Sequence, residues 1–320
     1  MVRTTWLFAR RSIVAVFTLL VLSAVVYFAS RLLPANPARA ALGKTASAAQ
    51  VHRFIVQQGL DHSALAGYLQ WLGHVLTGNW GTSLLSQSPV VQLALPRLLQ
   101  TFLLAVLGFI VGSLIAIPLG YLAGARADSR LDLAISSGIV GLAALPEFVV
   151  AVALLVIFAV ELRWLPVTSG AIESTGYGNP LLAYVLPAAS LGLVVVPQMA
   201  RQVRITASEV AREQYVSAAV LRGIAPRRVA LRYIIPAVAG RVVNVFTLTL
   251  AALFTGVVVV ETVFGYPGVG QLLVTSIGNN DSPVVEFCVV LMGTGYIMLN
   301  LAADLFVIAL NPRLRRTGVM

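Results

Sequence analysis

Charge is scarce in this chain: 11% of its 320 residues are Asp, Glu, Lys or Arg, against roughly 25% in soluble domains. That scarcity excludes an ordinary water-exposed fold. Cysteine is rarer still. Cys288 stands alone, so neither an intrachain disulfide nor a cysteine metal cluster can form. His52, His62 and His74 are the three histidines, and their spacing along one predicted external loop defines no metal site. No glycine-rich loop ending in Lys-Ser/Thr occurs, so the chain lacks a nucleotide phosphate loop. The apolar runs hold no nucleophile motif and no convergent His and carboxylate set, which leaves a membrane-embedded enzyme without machinery. No tandem or inverted repeat is evident, against the usual architecture of a secondary transporter.

What is abundant is apolar surface. Hydrophobic residues make up 58% of the chain and the mean hydropathy is +0.90. A membrane span needs roughly 20 mainly apolar residues. By that rule the sequence predicts an all-α polytopic membrane protein with six transmembrane helices, at 12–33, 99–122, 134–160, 182–200, 242–262 and 284–310. Pro187 and Pro197 interrupt the fourth. Arg10 and Arg11 precede the first as they would in a signal peptide. The apolar run is too long for a signal core, however, and "LLPANPARAALG" is only loosely like a cleavage site, so a retained span is expected.

A net charge of +10 would point to nucleic acid in a soluble protein; here the distribution decides otherwise. With the N-terminus cytoplasmic, sixteen of the 22 Lys and Arg residues fall on one side. That asymmetry is the positive-inside signal, with both termini cytoplasmic. No nucleic-acid partner is expected. The organisation predicted is a first span with its cytoplasmic end (1–33), an external subdomain (34–98), a five-helix core (99–312) containing a basic loop (201–241), and a cytoplasmic tail (313–320). In the external subdomain, Tyr68, Leu69, Trp71, Leu72, Val75 and Leu76 follow a helical period. Two roles fit it: capping the membrane domain, or meeting an external partner.

The stretch "QYVSAAVLRGIAPRRVALRYIIP" (214–236) lies between two membrane-length runs. Helix character extends from about Ala207 to Arg222, Gly223 suits a left-handed helix end, and Pro226 suits the first turn of a second helix. Pro236 is expected to end that second helix. A basic loop that only fixes topology and touches lipid headgroups is one reading. A glycine-hinged helix pair, with Ala218 and Ala219 permitting close approach, also fits a groove on another protein.

This segment resembles the cytoplasmic loop of ABC-importer permeases, with Ala218, Ala219, Gly223 and Pro236 at the matching positions and Ser217 replacing the family's acidic residue. "VVVVETVFGYPGVGQLLVTSIGNNDSPVVE", "LNLAADLFVIALNPRLRR", "LPANPA" and "YLQWLGHVLTGNWGTSL" are similar to the first permease of dipeptide, oligopeptide and nickel importers, so the likeness covers nearly the whole chain. Asn300, Asp304, Pro312 and Arg313 match, although asparagine replaces the usual acidic residue before Pro312. The resemblance implies a type I importer permease fold in a bacterial inner membrane. It implies that Ala218, Ala219, Arg222, Gly223, Ile224, Ala225, Pro226, Arg227 and Arg228 form a coupling helix for a separate ATP-binding subunit. The implied partners are that ATPase, which would hold ATP and Mg, a second related permease and an extracytoplasmic binding protein, within membrane lipid. No cofactor is expected in this chain. Small peptides are the implied cargo, with nickel or another small solute as the alternative.

Two further sets of residues stand out. Glu147, beside Pro146 in "LAALPEFVVA", is a charge inside an apolar run, costly unless paired or hydrated. It reads either as a pathway group attracting a cationic end of the cargo or as an interhelical hydrogen-bonding residue. Glu261, Phe264, Tyr266, Pro267, Gly268 and Gly270 form an external turn, read as fixing that turn, with gating as the second role. Asp304 reads as a structural ion-pair partner.

Overall fold

The computed structural model describes residues 2–32, 47–50, 64–169 and 181–310. They are helical apart from turns and one isolated bridge between Thr82 and Pro89. Four helices are long and apolar enough to cross a membrane: α1 (Val2–Leu32), α3 (Val90–Ala125), α6 (Leu182–Ala211) and α11 (Ser282–Leu310). Two bent pairs bring the number to six when each counts as one broken span.

The first bent pair corrects the third predicted span. Instead of one helix over 134–160, α4 (Arg130–Ala143) and α5 (Glu147–Leu155) meet at 96°. Pro146 is the cause. It disfavours helical geometry in the residue before it, adopts an extended backbone itself (ψ 145°), and starts α5. A π turn, Val156–Glu161, continues α5. The prolines of α6 behave in the opposite way: Pro187 and Pro197 both lie inside one continuous 30-residue helix. Lining a packed interior, α6 has neighbours to satisfy the backbone groups a proline frees. It therefore runs eleven residues past the predicted span end, through 201–211 of the expected loop.

Residues fall into two compact units, Met1–Thr101 with Pro267–Ile297, and Phe102–Tyr266 with Met298–Met320. In the first, α2 (Ala64–Leu76) lays its aromatic side on α1. Tyr68 and Trp71 stand 5.5 and 5.6 Å from the Tyr27 ring, and the Tyr68 hydroxyl shares a 3.0 Å hydrogen bond with Ser23. The aromatic face predicted from the sequence is thus occupied within its own unit. Two buried carboxylates hold the rest. Asp281 accepts from the Ser83 hydroxyl (2.5 Å) and the Leu84 N–H (3.0 Å), while Glu286 accepts from Ser30 (2.8 Å). α10 (Val269–Gly278) is anchored by the Val269 N–H donating to Thr101 Oγ1 at 2.9 Å.

The second unit is built around α6. A stripe of small residues on α3 lets the two helices touch through backbone, the usual way membrane helices pack closely. A Cβ added at Gly112, Gly120 or Gly124 would lie 2.6, 2.5 or 2.4 Å from atoms of α6. α5 and α9 (Ile235–Val263) complete the core, where Leu191, Met199, Val257 and Val260 are buried together.

Candidate functional site

α6 ends at Ala211, and Glu213 takes an extended backbone (φ −66°, ψ 144°) that turns the chain into α7 (Gln214–Leu221). The single helix expected over 207–222 is therefore two, broken at Arg212–Glu213. Gly223, at φ +72°, closes α7 in the left-handed geometry that glycine adopts without strain. Its N–H donates to Val220 O (2.9 Å), and the Ile224 N–H reaches Ala219 O (3.3 Å). Pro226 then occupies the first turn of α8 (Pro226–Val229).

α8 does not stop at Pro236. It passes through a π turn, Ala230–Ile234, into α9, whose first turn contains Pro236. A proline ring collides with the carbonyl four residues earlier in a regular α-helix; the wider π turn sits over that position and accommodates it. The second helix is thereby joined to the following span.

The two sides of α7 differ. Val216 and Ala219 face inward and share one apolar seam with Val203, Ala207 and Val210 of α6 and with Val229, Ile234, Val238 and Val242. Arg241 of α9 fastens the same corner, 2.9 Å from Glu213 and 3.8 Å from Glu209. The outer side carries Ala218, Arg222, Gly223, Ala225, Pro226, Arg227 and Arg228, all exposed, with Ile224 half-buried. Leu221 is 88% exposed and Val220 57%. The two alanines thus part company: Ala218 faces out, whereas Ala219, 4% exposed, packs inside the chain. Chemically this surface is an apolar knob with an arginine rim.

The other candidate residues lie apart from it. Glu147 opens α5 at the 96° break, half-buried, with its Oε1 buried and without a hydrogen-bond partner among the described residues. Glu261, Phe264 and Tyr266 are all buried. The Tyr266 N–H donates to Glu261 O (2.8 Å), the Ser169 N–H donates to Phe264 O (2.9 Å), and the Tyr266 ring meets Tyr184 edge-on. Gly268 caps α10, where Gly270 is buried, and Pro267 is exposed. Burial of this kind suits a turn that fixes its segment. The side chain of Asp304, like Pro312 and Arg313, lies outside the described residues.

Sequence reasoning missed Asp132 and Arg204, which meet as a forked ion pair at 2.5 and 2.7 Å. Ser129, three residues before Asp132, was the available signal of a capped helix start.

Residues 116–316 match the model of the family described as "Binding-protein-dependent transport system inner membrane component", and residues 4–104 match its N-terminal counterpart. The chain is 30% identical over 306 residues to a probable peptide ABC transporter permease, y4tP, of Sinorhizobium fredii, covering 96% of this chain and 98% of the relative. It is 33% identical over 309 residues to the glutathione transport system permease GsiC of Pectobacterium atrosepticum, with the same coverage. In fold it is similar to a chain of the MetNI methionine ABC transporter in an inward-facing conformation: TM-score 0.56, 19% identity, covering 70% of this chain and 98% of that one.

Proposed function

The chain belongs to the family of binding-protein-dependent transport system inner membrane components, and from that premise we propose that it forms half of an import pathway for small peptides, moved by a separate ATP-binding subunit. It is an ABC-importer permease subunit, a multi-pass inner-membrane protein whose family works with ATP-binding subunits and a substrate-binding protein. A second, related permease supplies the other half. ATP hydrolysis and its Mg ion belong to the partner ATPase. The arginine asymmetry supports cytoplasmic termini and a cytoplasmic α7–α8.

One observation carries the reading: the exposed Leu221 and arginine surface is continuous, through Val216 and Ala219, with the helices that cross the membrane. ATP alters membrane access only if its binding favours one arrangement of those helices. An ATPase seated on α7 meets that condition, because displacing α7 carries α6 and α9 with it. Peptide cargo follows from the relatives, named for peptide and for glutathione.

The test is uptake of labelled di- and tripeptides, glutathione included, by proteoliposomes holding this chain with its neighbouring subunits and binding protein. ATP-dependent accumulation is expected; accumulation driven by a proton gradient without ATP would overturn the reading. Within the same assay, Glu147 serves as the pathway group that attracts a peptide's amino terminus. Glu147→Gln is expected to lower uptake of peptides with a free amino terminus on the order of tenfold, and to leave N-acetylated peptides unchanged. Equal effects on both would assign Glu147 a packing role.

A further inference from the structure

Asp132, 3% exposed, stands in the first turn of α4, and Arg204 lies in α6, 72 residues later. The guanidinium meets both carboxylate oxygens, Nε to Oδ1 at 2.5 Å and Nη2 to Oδ2 at 2.7 Å. Such a fork fixes orientation as well as distance. The Ser136 hydroxyl donates to Oδ1 (3.1 Å) and the Asp128 N–H to Oδ2 (3.0 Å), while Ser129 caps the helix by accepting the Asp132 N–H (3.2 Å). Asp132 is therefore held from several sides and presents one geometry to Arg204.

The position of the pair is more informative than its strength. Arg204 lies between Val203 and Ala207, the residues through which α6 joins the apolar seam of α7. Asp132 lies at one end of α4, and the other end of α4 is the 96° break before Glu147. Besides the fork, α4 packs on the core through Ile135, Ile139 and Leu142, all nearer its other end. Its buried residues are Asp132 and Ile139, with Ile135 and Leu142 half-buried, while Leu133, Ser137, Val140 and Gly141 are exposed. A 14-residue helix is about 21 Å long, so a small displacement at its Asp132 end is delivered at the break.

We propose that Asp132 and Arg204 are positioning residues that transmit motion of the α7 seam to the broken α4–α5 span, linking ATP hydrolysis to the opening of the pathway. The proposal rests on the importer-permease reading. Neither residue touches cargo; each acts through the helix it holds.

The experiment uses the assembled transporter in proteoliposomes and reads ATP hydrolysis and peptide uptake side by side. Asp132→Asn keeps the shape and removes the charge. It is expected to leave hydrolysis within about twofold while lowering peptide taken up per ATP about tenfold. A parallel fall of both, in proportion to the complex that assembles, would reduce the pair to a structural fastening, and no change in either would also overturn the proposal. Arg204→Lys keeps the charge without the fork, serves in its place should Asp132→Asn fail to assemble, and is expected to show intermediate uncoupling. Spin labels at Ser137→Cys and Ile205→Cys in a Cys288→Ala background supply a second reading. The unmodified pair should hold their distance constant with and without nucleotide; a shift beyond about 2 Å contradicts transmission through it. Absence of ATP-driven uptake in the unmodified complex would strike the importer reading itself, and is distinguished by needing no variant.

Discussion

Leu221→Asp is expected to lower ATP-driven uptake about a hundredfold while the chain remains folded and at normal abundance in the membrane. The side chain is 88% exposed, so its replacement removes almost no internal packing, and surface substitutions of this kind usually change stability by less than about 0.5 kcal/mol. A partner's groove experiences the change differently. An aspartate there is a desolvated charge without a partner, and burying such a group costs several kcal/mol, where about 1.4 kcal/mol is already tenfold in affinity. The measurement is co-purification of the ATP-binding subunit with the variant, followed by uptake. Val216→Asp gives the contrast. Val216 is 4% exposed in the seam with α6, so that variant should lose folded chain as well as partner.

Gly124→Leu should leave little folded protein, whereas Gly138→Leu should behave as the unmodified chain. A Cβ at Gly124 meets the Arg204 carbonyl oxygen at 2.4 Å and the Ala207 Cβ at 2.8 Å. The obstacle is backbone and cannot rotate away. Overpacking costs about 1–3 kcal/mol where side chains can adjust, and here α3 must separate from α6 along its length. At Gly138 nothing lies within 4 Å, and leucine is a better helix former than glycine by roughly 0.8 kcal/mol. Thermal unfolding of the two variants in detergent separates them. Equal midpoints would mean that the glycine stripe of α3 does not set its distance from α6.

These cases also show what was legible in the sequence. Length and hydropathy are properties of segments, and they gave the helical membrane fold and the places of its apolar runs; where the helices begin, bend and end they did not give, since α6 runs eleven residues past its expected end and the third span is broken. Gly223 and Pro226 act locally, one through a positive φ and the other at a helix start, so they were readable too. Prolines inside the apolar runs and at Pro236 were not, because their outcome depends on neighbours. Pro146 turns the chain through 96°, whereas Pro187 and Pro197 sit inside α6 and Pro236 follows a π turn that absorbs it. The inward face of α7 was likewise hidden: Ala218 and Ala219 are alike in sequence, and only the seam with α6 tells them apart. Asp132 and Arg204 belong to segments 72 residues apart, and no local periodicity connects them.

The central claim is that the outer side of α7 is where an ATP-binding subunit takes hold. The most direct measurement is crosslinking from a single cysteine in the assembled transporter, in a Cys288→Ala background, comparing Ala218→Cys with Ala219→Cys. The expected result is a nucleotide-sensitive crosslink to the ATP-binding subunit from position 218 and none from 219, because Ala218 is exposed and Ala219 is 4% exposed. An intact, transporting complex in which position 218 yields no crosslink to that subunit would contradict the account.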